Sequence, residues 1–126
     1  LVVTRPVIPE IRGARQFIEL LRKLDYDLNR VGLVINGVDS KRMGIQPEAI
    51  ERAMMPAVAH IPLDERVALR AANLGEPVMV KSARSSVGQG ITLLAQAIHE
   101  RVHTSVDAEE PEAELQQHRS GLGRLL

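Results

Sequence analysis

Cysteine is absent from this 126-residue chain, so disulfides, thiolate metal sites and cysteine nucleophiles are all excluded. Aromatic residues are scarce: Phe17 and Tyr26 alone make up the 2%, which leaves almost no surface on which unpaired bases could stack. An excess of charge of either sign is also missing. Lys plus Arg and Asp plus Glu number 16 each, so no overall field draws the chain to nucleic acid, and no sequence-specific nucleic acid is expected as a partner. No apolar run approaches the roughly 20 residues needed to span a bilayer, and the first residues lack the charged flank of a signal peptide. The length suits one modest domain, yet the chain begins "LVVT" without an initiator Met and reads as a piece of a longer protein.

What is present alternates strands with helices. "LVVT" is a short β-branched run, and Pro6 and Pro9 force an extended connection into a helix that takes Pro9 in its first turn. That helix is expected to run to about Leu24. Ile11, Ala14, Ile18 and Leu21 form its apolar stripe, and Phe17, Leu20 and Leu24 widen it. "VGLVI" is continuously apolar, the pattern of a strand covered on both faces in a parallel sheet. A strand, helix, strand order implies right-handed crossovers. A short helix is expected from Pro47 to Met54, with Ile50, Ala53 and Met54 inward, followed by a strand in "AVAHIPLD". Asp64 can cap a helix "ERVALRAAN" that stops at Gly75, and "PVMV" reads as one more short strand. The last clear helix is expected from Ser86 to Val102. Residues 104–114 are acidic and interrupted by Pro111, and read as a flexible solvated linker. The whole is α/β, a mostly parallel sheet with helices on both faces.

Two motifs invite chemistry. "HERVH" (His99, Glu100, His103) matches the pattern in which two helical imidazoles hold zinc and the glutamate acts as base. A catalytic zinc needs a third protein ligand, and the only downstream carboxylates lie in the acidic stretch; the competing reading is a solvated helix end whose imidazoles favour the negative end of the dipole. "GQG" (Gly88 to Gly90) opens a helix but lacks the third glycine and the preceding strand, and the chain nowhere contains G-x-x-x-x-G-K-[ST].

The mouths of two strands remain. Ligands of open α/β sheets lie beyond the carboxyl ends of the strands, where "VINGVD" and "HIPLDE" place Asn36, Pro62 and Asp64. A carboxamide offers a donor and an acceptor together and can read a purine edge, while an Ile61, Pro62, Leu63 shelf can cover its face. The ordinary alternatives are a turn at Asn36 and Gly37 and a simple helix cap at Asp64.

At these residues the chain resembles a known family. "LVVTRPVIPEIRGARQFIELLRKL", "GLVING", "PAVAHIPLDERVALRAANLGEPVMV" and "GQGITLLAQAI" are similar, in this order, to the C-terminal half of the MinD/ParA ATPases, the deviant Walker P-loop proteins with septum-site and CpaE-like pilus branches. The resemblance covers roughly residues 1–102. It implies the C-terminal half of a doubly wound P-loop NTPase sheet over residues 1–103. It also implies adenine recognition by Asn36, with Pro62 and Asp64 along the base. ATP and Mg²⁺ are the implied cofactors, and the phosphate loop, catalytic lysines and magnesium ligands would lie upstream, so this segment alone should not hydrolyse ATP. The implied partners are a second copy in an ATP-dependent homodimer and a regulatory protein. The implied location is cytoplasmic, peripheral at the inner face of the cell membrane.

Residues 115–126 extend the likeness to the MinD branch. Leu115, Leu122, Leu125 and Leu126 can share one helical face with Arg119 and Arg124 nearby, the pattern of a helix lying in a membrane interface; the expected lipid contacts are Leu122, Arg124, Leu125 and Leu126. Gly121 and Gly123 oppose this by about 1 kcal/mol each relative to Ala. Septum positioning is the leading expectation for the whole protein. The alternatives are a CpaE/ParA-like ATPase of pilus assembly or DNA partition, a non-catalytic interaction module of the same fold, and a zinc protease.

Overall fold

Leu33, Val34 and Ile35 are exposed by 0, 1 and 0%. Consecutive residues of a strand face opposite sides of a sheet, so burial of all three requires cover on both faces. The structure, a computed structural model, describes residues 1–39, 41 and 44–121, with the side chains from 105 onward excepted. Its sheet is parallel, in the order β1 (Val2–Thr4), β2 (Leu33–Val38), β3 (Ala57–Pro62). Helix α1 (Ile8–Lys23) connects β1 to β2, a single 3-10 turn (Leu28–Arg30) precedes β2, and α2 (Pro47–Ala53) leads into β3. Helices α3 (Glu65–Leu74), α4 (Val78–Lys81) and α5 (Ser86–Gly121) follow. One compact unit spans Leu1–Ala95 and holds the sheet; a second spans Gln96–Leu126.

The core is small and aliphatic. Ala14 and Ile18 of α1, Val31, the three β2 residues, Ile50 of α2 and Ile61 of β3 are buried, with Thr4 as the buried polar group. Thr4 meets its hydrogen-bonding need locally, its hydroxyl donating to the Arg5 carbonyl at 3.2 Å. Each fully buried Val, Leu or Ile contributes about 1.5–3 kcal/mol, so this handful of side chains carries most of the apolar stabilisation.

Helix α1 buries a narrower stripe than its periodicity suggests. Ile11 and Leu21 are half-buried, while Phe17, Leu20 and Leu24 stay 50, 50 and 68% exposed. In this unit the helix packs on β1, and a three-residue strand covers only the centre of the stripe. Ends of helices follow the sequence signals more closely. Pro9 sits in the first turn of α1 and Pro47 opens α2, while Gly75 closes α3 in the left-handed region at φ 64°.

Ala53 of α2, expected inward, is exposed, and two expectations about elements also fail. "PVMV" is not a strand: after Pro77 the chain makes the single helical turn of α4, closed by the Ser82 amide on the Val78 carbonyl at 2.8 Å. A short apolar run cannot by itself separate strand from helix, and here the Lys81 to Glu76 ion pair, at 3.0 Å, staples the turn. Nor does the last helix end at Val102, since α5 continues through residues 104–114 to Gly121. Ala, Glu, Leu, Gln and Arg dominate residues 108–119, and these are strong helix formers.

Candidate functional site

Thr4, Val38 and Pro62 end three parallel strands on the same side of the sheet, and the loops that leave them enclose a cavity of about 540 Å³. Arg5, Pro6 and Val7 line it from the exit of β1, Gly37, Val38 and Asp39 from β2, and His60, Leu63 and Glu65 from β3 and α3. Residues 44–48, entering α2, complete the wall. This is where the topology of an open α/β sheet places a ligand.

Several charged groups at the cavity have partners among the described residues. Glu10 accepts from the Arg5 guanidinium through Nε at 2.8 Å and through a second, shorter contact to Nη2, and from the Arg5 amide at 3.1 Å. These hydrogen bonds hold the Glu10 carboxyl below the usual carboxylate range. Its folded pKa being depressed, the contribution is present above the ordinary glutamate pKa and is lost as the pH falls through the lowered value; both groups face water, so it is small. His60 Nε2 lies 3.2 Å from Glu51 Oε1, which also accepts the Ala57 amide at 2.9 Å. Asp39 accepts the Lys41 amide at 2.9 Å. Asp39, Glu48 and Glu65 are the other acidic residues of the lining, and Arg5 is paired with Glu10.

None of Asn36, Pro62 and Asp64 lines the cavity; their chain neighbours Gly37, Leu63 and Glu65 do. Asn36 is an exposed residue of β2, paired with Ile61 of β3, and its side chain makes no hydrogen bond among the described residues. Directly after it the register shifts, so that Val38 rather than Gly37 faces Pro62, and Gly37 adopts φ 76°. Pro62 is half-buried, with Gly90 of α5 packed so closely that a Cβ there would stand 2.8 Å from Pro62 Cδ. Asp64 is fully engaged. Its Oδ1 accepts the Val67 amide at 3.1 Å as the cap of α3, and its Oδ2 accepts the Ser86 hydroxyl at 3.4 Å at the start of α5. Replacing Asp64 with alanine should cost about 1 kcal/mol in urea unfolding, and Asp64→Asn much less, because the loss is that of a helix cap.

The glycines of "GQG" serve packing. A Cβ on Gly88 would meet the backbone oxygens of Ala83 and Ser82 at 2.5 and 2.6 Å, and one on Gly90 would meet β3. The sequence reading passed over Arg5, Glu51 and His60. Their signal was available only for His60, an ionisable residue placed immediately before the Ile61 and Pro62 strand mouth. Leu122, Arg124, Leu125 and Leu126 lie outside the described residues.

No family model and no curated protein matches the chain. Solved structures do match it. The MinD cell division protein of Aquifex aeolicus superposes with TM-score 0.68 at 20% identity over 78% of this chain and 42% of its own; the same protein in its MinC:MinD complex gives 0.67, 21%, 78% and 41%. The cell division ATPase MinD of Pyrococcus furiosus gives 0.66 at 26% identity over 77% of this chain and 40% of that one. A ParA family ATPase from Chlorobium tepidum TLS gives 0.62 at 24% over 77% and 39%. The chain spans about two fifths of the length of these structures, 39 to 42%. Parallel strands, flanking helices and a ligand-sized space at the carboxyl edge define part of a doubly wound α/β sheet. More narrowly, the fold is, in part, that of the MinD/ParA P-loop ATPases.

Proposed function

We propose that this chain is the C-terminal part of a MinD-like positioning ATPase and that it supplies recognition of the adenine base. The observation that carries the reading is Asn36: a carboxamide on a buried, rigid strand, exposed at the strand's carboxyl end and without a hydrogen-bond partner among the described residues. An amide so placed can give the purine edge one donor and one acceptor. Pro62, held against Gly90, supports the base face, and Asp64 acts by fixing the start of α3. Phosphate chemistry does not belong to this segment. It has no P-loop sequence, and among the described residues no three His, Cys, Asp or Glu stand together as a metal site. Mg²⁺ and the triphosphate would be held by residues outside it, the ion neutralising charge on the phosphates.

In the full-length protein, Asn36→Ala should weaken ATP binding about tenfold, two neutral hydrogen bonds being at stake. The melting temperature without nucleotide should not move, because the side chain is exposed and unpaired. Unchanged ATP affinity, measured by calorimetry, would remove Asn36 from the site.

For the whole protein the reading includes ATP-dependent homodimerisation, a regulatory partner and peripheral attachment to the cytoplasmic face of the membrane. The MinD matches favour it, one being a structure with MinC. Among the described residues no helix is long and apolar enough to cross a membrane, and a single short amphipathic segment binds marginally, so attachment through residues 115–126 gains from pairing two copies. Deleting residues 115–126 from the full-length protein should abolish ATP-dependent sedimentation with anionic liposomes; persistent co-sedimentation refutes the tail's role. The ParA match keeps a partition or pilus-positioning ATPase as the second reading, distinguished by DNA-dependent rather than lipid-dependent stimulation of ATP hydrolysis.

A further inference from the structure

Two histidines of α5 take no part in the site described above. His99 and His103 stand one helical turn apart, both exposed, with ring centroids 4.2 Å apart and ring planes at 70°. Residues four apart on a helix project from one face, and the edge-on contact shows that both imidazoles reach the same spot. Neither ring has a hydrogen-bond partner among the described residues. A neutral imidazole carries one lone-pair nitrogen and is a common ligand of divalent transition metals. We infer that His99 and His103 form a two-imidazole chelate for a borderline divalent transition-metal ion, its other coordination positions filled by water.

The geometry supports a chelate and not a catalytic centre. Glu100 lies about 100° around the helix from His99, and no third His, Cys, Asp or Glu joins the pair among the described residues, whereas catalytic zinc takes three protein ligands. Both rings are exposed and can change rotamer without moving the backbone, so converting the ring contact into shared ligation disturbs nothing else. Among the described residues no carboxylate or carbonyl orients either ring, which makes the site one of moderate affinity. Its order of preference follows from two nitrogen donors: Cu²⁺ above Ni²⁺ and Zn²⁺, with oxygen-seeking Mg²⁺ and Ca²⁺ excluded. A bound ion would tie one turn of α5 together and favour its helical form, because the ligand binds the ordered state alone.

The test is calorimetric titration of the 126-residue chain with CuCl₂ and with ZnCl₂, beside His99→Ala, His103→Ala and His118→Ala. One ion per chain is expected, bound more tightly as Cu²⁺ than as Zn²⁺. Losing either His99 or His103 should weaken binding about a hundredfold, since the second ligand acts at high effective concentration. His118→Ala should bind as the parent does. Acidification should release the ion, because imidazolium cannot ligate. Circular dichroism of the metal-free variants checks that the helix is intact. Equal affinity in His99→Ala and the parent, or loss of binding in His118→Ala alone, overturns the assignment.

Discussion

Ile35→Ala is expected to lower the unfolding free energy by about 2–5 kcal/mol, the range for removing a large aliphatic side chain from a core that only partly collapses. Ile35 is 0% exposed in the middle strand, bonded to β1 through Thr4 and to β3 through His60 as register partners. Both faces of β2 are already covered, so no neighbour can swing in to fill the space. Chemical denaturation of the chain, with Leu69→Ala as the reference, measures the effect. Leu69 is 63% exposed on α3, and its loss should stay within about 0.5 kcal/mol. Comparable losses at the two positions would mean that the sheet is not the core.

The second large effect is a matter of sign. On propensity alone, alanine in place of a helical glycine should stabilise by about 1 kcal/mol. At Gly88 the opposite is expected, a loss of about 3 kcal/mol, because the added Cβ would press on the carbonyl oxygens of Ser82 and Ala83 at 2.6 and 2.5 Å and overpacking against backbone cannot be relieved by a rotamer change. Gly88→Ala therefore separates the two accounts directly in a denaturation curve. A gain in stability would show that the first turn of α5 can shift away from the preceding loop.

This glycine also marks where the sequence was legible and where it was not. The continuous apolar run at Leu33, Val34 and Ile35, the capping Asp64 and the terminating Gly75 state local rules, and local rules are what a sequence displays. "GQG" displays a choice: glycine for a ligand and glycine for close packing look alike in one dimension, and only the approach of the 82–83 backbone decides. "PVMV" fails for a related reason, its four apolar residues being too few for a period and its outcome set by Pro77 and by the Lys81 to Glu76 pair. At the strand mouths, the position of Asn36 followed from the strand itself. The separate cavity beside it did not, because it is assembled from β1, β2, α2 and α3 across the sheet edge, and the pairing of Arg5 with Glu10 or His60 with Glu51 is a product of that assembly. Legibility on α1 is partial: the buried centre at Ala14 and Ile18 was readable, whereas the breadth of cover depends on how much sheet lies beneath.

Gly37 closes the account of β2. With its φ of 76° and two residues of β2 set against one of β3, the strand loses its strict alternation just after Asn36. An extra residue in a paired strand changes the parity of everything downstream. The two ends of β2 thus follow different phases, and Val38 meets Pro62 without turning Leu33, Val34 or Ile35 out of the core. The left-handed glycine lets the end of the strand change phase while its buried middle keeps its pairing.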